Sequence, residues 1–152
     1  MKNPTLPFLL LIFALSSNAQ DSISFSATFN HVALAVKEVN RSADFYKNTL
    51  NLKEITNRTE KTGRRWLSLG GDKELHLIAA TSIRNEPNAN NEVHFAMTVS
   101  GFDNFIKSLE AKKIKYFNWE GESHKIKIRA DGVKQIYFQD PDGYWIEVNS
   151  IK

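Results

Sequence analysis

Phe29-Asn30-His31-Val32-Ala33-Leu34-Ala35-Val36 and Glu92-Val93-His94-Phe95-Ala96-Met97-Thr98-Val99 are two versions of one segment, with His31 and His94 standing 63 residues apart. Each alternates bulky apolar residues with small or polar ones, the period of a strand with one buried face. The stretches after them are also alike. After the first, Asn40 can cap a helix, and Ala43, Tyr46 and Leu50 recur at helical spacing. After the second, Phe102, Phe105, Ile106 and Leu109 form an apolar helical stripe. Each half then closes on a hairpin. The first is Trp66-Leu67-Ser68-Leu69, a Gly70-Gly71-Asp72-Lys73 turn and Glu74-Leu75-His76-Leu77-Ile78. The second is Tyr137-Phe138-Gln139, an Asp140-Pro141-Asp142-Gly143 turn and Tyr144-Trp145-Ile146-Glu147-Val148. Gly and Pro-Asp-Gly supply the turn chemistry. The chain therefore reads as strand, helix and about three strands, done twice. Residues 81–91, polar and carrying Pro87, read as the linker. Each half is too small to be comfortably stable alone, so one joint domain is expected, with helices on the outer faces of its sheets.

Parity then assigns faces. Val32, Leu34 and Val36 share the helix side of the first strand, which turns His31, Ala33 and Ala35 the other way. The matching strand turns His94, Ala96 and Thr98 away from its helix. In the last strand of each half, His76 (with Glu74) and Glu147 (with Trp145 and Asn149) fall on that same non-helix side. His31 pairs with His94 in the repeat, and His76 with Glu147, 71 residues on. The small neighbours leave space for a cavity. Three imidazoles and a carboxylate there suit a first-row divalent metal with N and O ligands. The same parity brings Arg64, Trp66, Ser68, Gln135, Tyr137 and Gln139 to the cavity side, a mixture suited to an organic ligand with a few oriented oxygens.

Composition bounds the alternatives. The 152 residues are 41% hydrophobic and include ten Phe, four Tyr and three Trp, enough for a packed core. Twenty basic residues against 17 acidic ones give a net charge of +3, spread along the chain, which argues against a dedicated nucleic-acid binder. There is no cysteine, so disulfides, thiolate metal sites and cysteine nucleophiles are excluded. At the amino terminus, Lys2, a nearly unbroken apolar run over residues 6–15 and Ser16-Ser17-Asn18-Ala19 make a three-part secretory signal. Cleavage after Ala19 leaves residues 20–152, a chain with no stable membrane insertion. The expected location is exported, periplasmic or secreted.

Three segments carry a family likeness: Asn30-His31-Val32-Ala33-Leu34-Ala35-Val36 leading to Ser42-Ala43-Asp44-Phe45-Tyr46; Glu92-Val93-His94-Phe95-Ala96; and Asp140-Pro141-Asp142-Gly143-Tyr144-Trp145-Ile146-Glu147. On these the chain resembles the vicinal oxygen chelate superfamily, which includes glyoxalase I, fosfomycin-resistance enzymes, bleomycin-resistance proteins and extradiol dioxygenases. The resemblance implies an α+β fold of two paired βαβββ modules, residues 28–80 and 92–150 of a domain over 28–152, forming a cup-shaped mixed sheet. A signal peptide over 1–19 and an extension over 20–27 precede it. The resemblance further implies a divalent metal (Ni, Zn, Mn, Fe or Co) held by His31, His76, His94 and Glu147. At the second of these positions glyoxalases use Glu. This chain has His76 there, with Glu74 two residues earlier as the alternative. The expected activity is that of a metal-dependent lyase or isomerase acting on a small substrate that chelates the metal through adjacent oxygens. Glu147 would move the proton, Arg64 or Gln135 would orient an anion, and Trp66, Tyr137 and Trp145 would line the pocket. The alternative is a non-catalytic protein that sequesters a small molecule, as bleomycin-resistance members do. The modules of such proteins pair within one chain or between two, and in the second case the metal sits at a homodimer interface.

Overall fold

A computed structural model describes residues 24–80 and 90–152. The leader over 1–19, the first residues of the extension and most of the linker lie outside the described residues. The order of elements is β1 (His31–Val36), α1 (Val39–Leu50), β2 (Glu54–Ile55), β3 (Arg64–Gly70), β4 (Lys73–Ala79), β5 (His94–Val99), α2 (Phe102–Ala111), β6 (Lys127–Ile128), β7 (Lys134–Gln139) and β8 (Trp145–Ser150). This is the expected α+β arrangement of two βαβββ modules. Each module forms a four-stranded mixed sheet, ordered β1-β4-β3-β2 in the first and β5-β8-β7-β6 in the second.

The two registers correspond position by position. β1 runs parallel to β4 with Ala33 opposite His76, and β5 runs parallel to β8 with Ala96 opposite Glu147. A parallel pair needs a crossover, and the helix supplies it. Across the antiparallel hairpins, Trp66 faces His76 and Tyr137 faces Glu147. The repeat therefore sets equivalent side chains at equivalent points of two sheets.

Helix α1 begins one residue before Asn40. Its N-cap position is Glu38, which makes no capping bond, and the Asn40 side chain accepts instead from the Arg65 guanidinium at 3.2 Å. The expected cap is thus displaced by a long-range partner. The first hairpin turns through Gly70 and Gly71, both at positive φ, where a side chain would be strained. In the second turn, Asp140 Oδ1 accepts from the backbone N–H groups of Asp142 and Tyr144, each at 2.9 Å.

The helix-side residues chosen by parity are the core. Val36, Leu67, Leu75, Leu77, Ile146 and Val148 are fully buried, together with Ala43 and Tyr46 of α1 and Leu109 of α2. They belong to one continuous cluster that runs through both modules. Tyr46 reaches the ring of Phe95 at 6.3 Å, and Phe45 reaches Phe138 at 6.2 Å. Polar bonds reinforce this seam. Tyr46 donates to Asp140, Ser42 donates to Asp142 Oδ2 at 2.9 Å, the Lys37 backbone N–H donates to Asp142 Oδ1 at 3.1 Å, and the Tyr144 hydroxyl donates to the Ala35 carbonyl at 2.9 Å. The Asp-Pro-Asp-Gly turn is therefore the joint between the modules as well as the bend of a hairpin. No helix among the described residues is long and apolar enough to cross a membrane.

Candidate metal and substrate site

With the helix faces buried, the opposite faces hold the polar groups. On the face of the second module, Glu147 is buried and engaged from several sides. The Tyr137 hydroxyl donates to Oε2 at 2.5 Å and the Asn149 amide donates to Oε1 at 2.5 Å. His94 Nε2 lies 3.0 Å from Oε2. Burial pushes the Glu147 carboxyl up, but bonds from Tyr137, Asn149 and Gln135 and the nearby His94 outweigh it and leave it below the usual glutamate range. Tyr137 is pushed the other way, held as a phenol by burial and by its bond to the carboxylate.

The imidazole of His94 is oriented from behind. Its Nδ1 lies 2.7 Å from the Asn91 carbonyl oxygen. A carbonyl only accepts, so Nδ1 donates to it, and Nε2 is the atom turned to Glu147. His31 is held similarly, with Nδ1 at 2.7 Å from Asn30 Oδ1, leaving its Nε2 as the outward atom.

His76 is held differently. Its ring is stacked between the indole of Trp66 (3.9 Å, 9°) and the ring of His31 (4.3 Å, 17°). Its Nε2 bonds Glu74 Oε2 at 2.8 Å. Glu74 also receives Arg58 on both oxygens, at 2.7 and 2.9 Å, and the Arg58 guanidinium covers the Trp66 ring at 4.7 Å. Bonds from His76 and then Arg58 hold the Glu74 carboxyl below its ordinary range.

The remaining sequence-chosen residues divide between the two faces. Trp66 is buried in the stack, and half-buried Arg64 makes no hydrogen bond or ion pair among the described residues. Gln135 donates to Asn149 Oδ1 at 3.3 Å, which steadies the amide that holds Glu147. Trp145 packs edge-on to Phe117 at 5.7 Å. Five further residues enter the site that sequence reasoning does not assign to it: Asn30, Asn91, Asn149, Arg58 and Trp119. Trp119 stands 5.8 Å from the Tyr137 ring, half-exposed beside the Glu147 face. Asn149 is visible to parity, two residues beyond Glu147. Arg58 and Trp119 sit on irregular segments, where periodicity gives no signal.

The structure joins His94 with Glu147, and His31 with His76, but it does not bring the two pairs together. No group of three metal-ligating side chains forms among the described residues of one chain. The small residues Ala33, Ala35, Ala96 and Thr98, expected to leave space for a cavity, are exposed. Of these, Ala96 lines, with His94, an apolar cleft of about 670 Å³ walled by Phe29, Val32, Leu69, Phe95, Tyr144 and Trp145.

Comparison with known proteins places this geometry in context. Residues 28–148 match the family model of the Glyoxalase/Bleomycin resistance protein/Dioxygenase superfamily. Metallothiol transferase FosB of Staphylococcus saprophyticus is 29% identical over 130 residues, spanning 81% of this chain and 76% of that protein. The FosB of Staphylococcus epidermidis is 27% identical over 126 residues, with 80% of each chain covered. Among solved structures, oxidase ChaP-H2 superimposes with a TM-score of 0.68 at 19% identity, over 84% of this chain and 96% of its own. Virulence protein STM3117 of Salmonella typhimurium does so at 0.60 and 21% identity, over 85% and 100%. At such identities these structures speak to the fold alone.

Proposed function

The chain belongs to the glyoxalase, bleomycin-resistance and dioxygenase superfamily, and from that premise we propose that it is an exported metal-dependent enzyme acting on a small substrate with adjacent oxygens. The observation that carries this reading is the facing of His94 and Glu147. With Nδ1 tied to Asn91, Nε2 meets a carboxylate oxygen at 3.0 Å. Two acceptors hold that separation when a proton or a cation lies at the same locus. His31, held through Asn30, supplies a second imidazole with the same free nitrogen. The donor set of two imidazoles and a carboxylate suits a first-row divalent ion such as Ni, Zn, Mn, Fe or Co. When bound, such an ion polarises a substrate oxygen as a Lewis acid.

The chain's own residues do the rest. Tyr137 and Asn149 fix both oxygens of Glu147, so the carboxylate arrives at the site already oriented. Trp119, Tyr137 and Trp145 wall the second module's face and exclude water. Arg64 is a cation left to orient an anionic substrate. The name of the FosB relatives supports thiol transfer to a small substrate as the reaction. A lyase or isomerase reaction instead asks Glu147 to exchange protons while held by Tyr137 and Asn149.

Because each chain carries two separate half-sites, two copies complete the site, with His31 of one beside His94 and Glu147 of the other. The apolar cleft, with Phe29 and Val93 exposed at its edge, supplies surface for that docking. The leader over 1–19 routes the chain out of the cytoplasm. Metal analysis of the purified mature protein, as isolated and after reconstitution with each ion, tests the reading. One ion per half-site pair is expected. Protein that holds none in either form is instead a metal-free binding protein of the sequestering kind.

A further inference from the structure

His76 occupies a ligand position by sequence alignment, yet its surroundings build something else. Four side chains close a ring: Arg58 covers the Trp66 ring at 4.7 Å, His76 stacks on it at 3.9 Å, and Glu74 bonds both Arg58 (2.7 Å) and His76 (2.8 Å). His31 lies on the outer face of that ring, stacked on His76 at 4.3 Å. The strand register builds it, since His76 stands opposite Trp66 on one side and Ala33 on the other, while His31 stands opposite Glu74. Ala33 has no bulk, so the rings of His31 and His76 can meet across β1 and β4. The one nitrogen of His76 that bonds outward is spent on Glu74, and Glu74 is spent on Arg58 and His76.

We propose that His76 is a positioning residue rather than a metal ligand. Clamped by Trp66, Glu74 and Arg58, it forms the flat platform that holds the His31 imidazole with Nε2 outward. This rests on the metal-site reading above, whose ligands are His31, His94 and Glu147. In this account Glu74 is also no ligand, and Arg58 belongs to the platform rather than to a substrate. The property that matters at position 76 is then a planar ring, not a nitrogen.

The test is Co²⁺ binding to the purified full chain, read by calorimetry and by the visible d–d spectrum. His76→Phe keeps the ring and removes both nitrogens. It is expected to bind Co²⁺ within about threefold of the unaltered protein, with an unchanged spectrum, while His76→Ala binds about tenfold more weakly, the low end of what is lost when a group orienting a ligand is removed. Arg58→Ala, at a largely exposed side chain, is expected to weaken binding and to add nothing further when combined with His76→Ala. Loss of binding in His76→Phe as complete as in His31→Ala overturns the proposal, because His76 is then a ligand. Unaltered binding by His76→Ala, or additive losses with Arg58→Ala, overturns it as well, because no platform is then at work. Failure of the unaltered protein to take up Co²⁺ at all removes the metal-site reading itself, and this proposal with it.

Discussion

The Tyr46 hydroxyl donates to Asp140 Oδ2 at 2.8 Å, joining helix α1 of the first module to the hairpin turn of the second, 94 residues away. Both groups are buried. Burial drives the Tyr46 phenol well up, with Asp140 adding to it. Burial also raises the Asp140 carboxyl, against the bonds it accepts from Tyr46, Tyr144 and Asp142. Tyr46→Phe keeps the ring and leaves that carboxyl one donor short. Its expected cost is about 1.5–3 kcal/mol, the range for a hydrogen bond to a charged group. Urea unfolding reads it, with the midpoint moving and the slope unchanged.

Site assembly from two chains is checked by complementation. His31→Ala and Glu147→Ala each break the shared site, but at different ends. Purified separately, both are expected to lose Co²⁺ binding. Mixed at equal amounts and allowed to exchange subunits, a fraction of the pairs carries one intact set, and binding returns in part. No recovery after verified exchange, or a monomeric mass for the unaltered protein in light scattering, contradicts the assembly.

Tyr137→Phe removes the 2.5 Å bond to Glu147 while preserving the ring against His94 and Trp119. Metal affinity is expected to fall by about 10- to 100-fold, the usual loss when a partner of a ligand is removed. The metal-free protein should also lose about 1.5–3 kcal/mol of stability, the range for a hydrogen bond to a charged group, so affinity is compared on folded protein. A variant with full affinity shows that Asn149 alone orients the carboxylate.

Glu54 and Arg65 pair at 2.5 and 2.7 Å across β2 and β3. The Arg65 bond holds the Glu54 carboxyl below its ordinary value. A lowered folded value contributes stability above the unfolded range, near pH 4.3, and that stability is lost as pH falls through the folded value. The pair is largely exposed, so its worth is under about 1 kcal/mol after solvent screening. Glu54→Gln should cost that much at pH 7, with the cost fading as pH falls through the lowered folded value. A cost that persists at low pH points to packing instead of charge.

The fold was legible because the repeat was. Alternation in residues 29–36 and 92–99 names the two opening strands, and helical spacing names α1 and α2. Parity also chooses the faces correctly: Leu34, Val36, Leu75, Leu77, Ile146 and Val148 are buried on one side. It cannot say how the modules sit against one another. That relation depends on Tyr46, Ser42 and the Asp-Pro-Asp-Gly turn, which join residues about a hundred positions apart and leave no periodic trace. Parity sets Ala33 and Ala96 alike on the cavity side, whereas in one chain Ala33 lies open and Ala96 lines the apolar cleft beside Trp145. The identity of what orients each ring is likewise hidden from it. His94 and His31 are held through Asn91 and Asn30, while His76 is held through Glu74, and three histidines that look equivalent by parity differ by these bonds.

β1 and β5 each lie at the border of a sheet, paired on one side only among the described residues. Unlike the two-residue strands at the opposite borders, each is six residues long and lies beside exposed apolar groups, Phe29 and Val93. Such borders recruit strands from whatever chain is nearby. A solitary chain is therefore an aggregation hazard from the moment it folds. Sequestering both borders promptly would protect its solubility as much as it would serve any chemistry. If two copies assemble as proposed, dilution should lower the melting temperature.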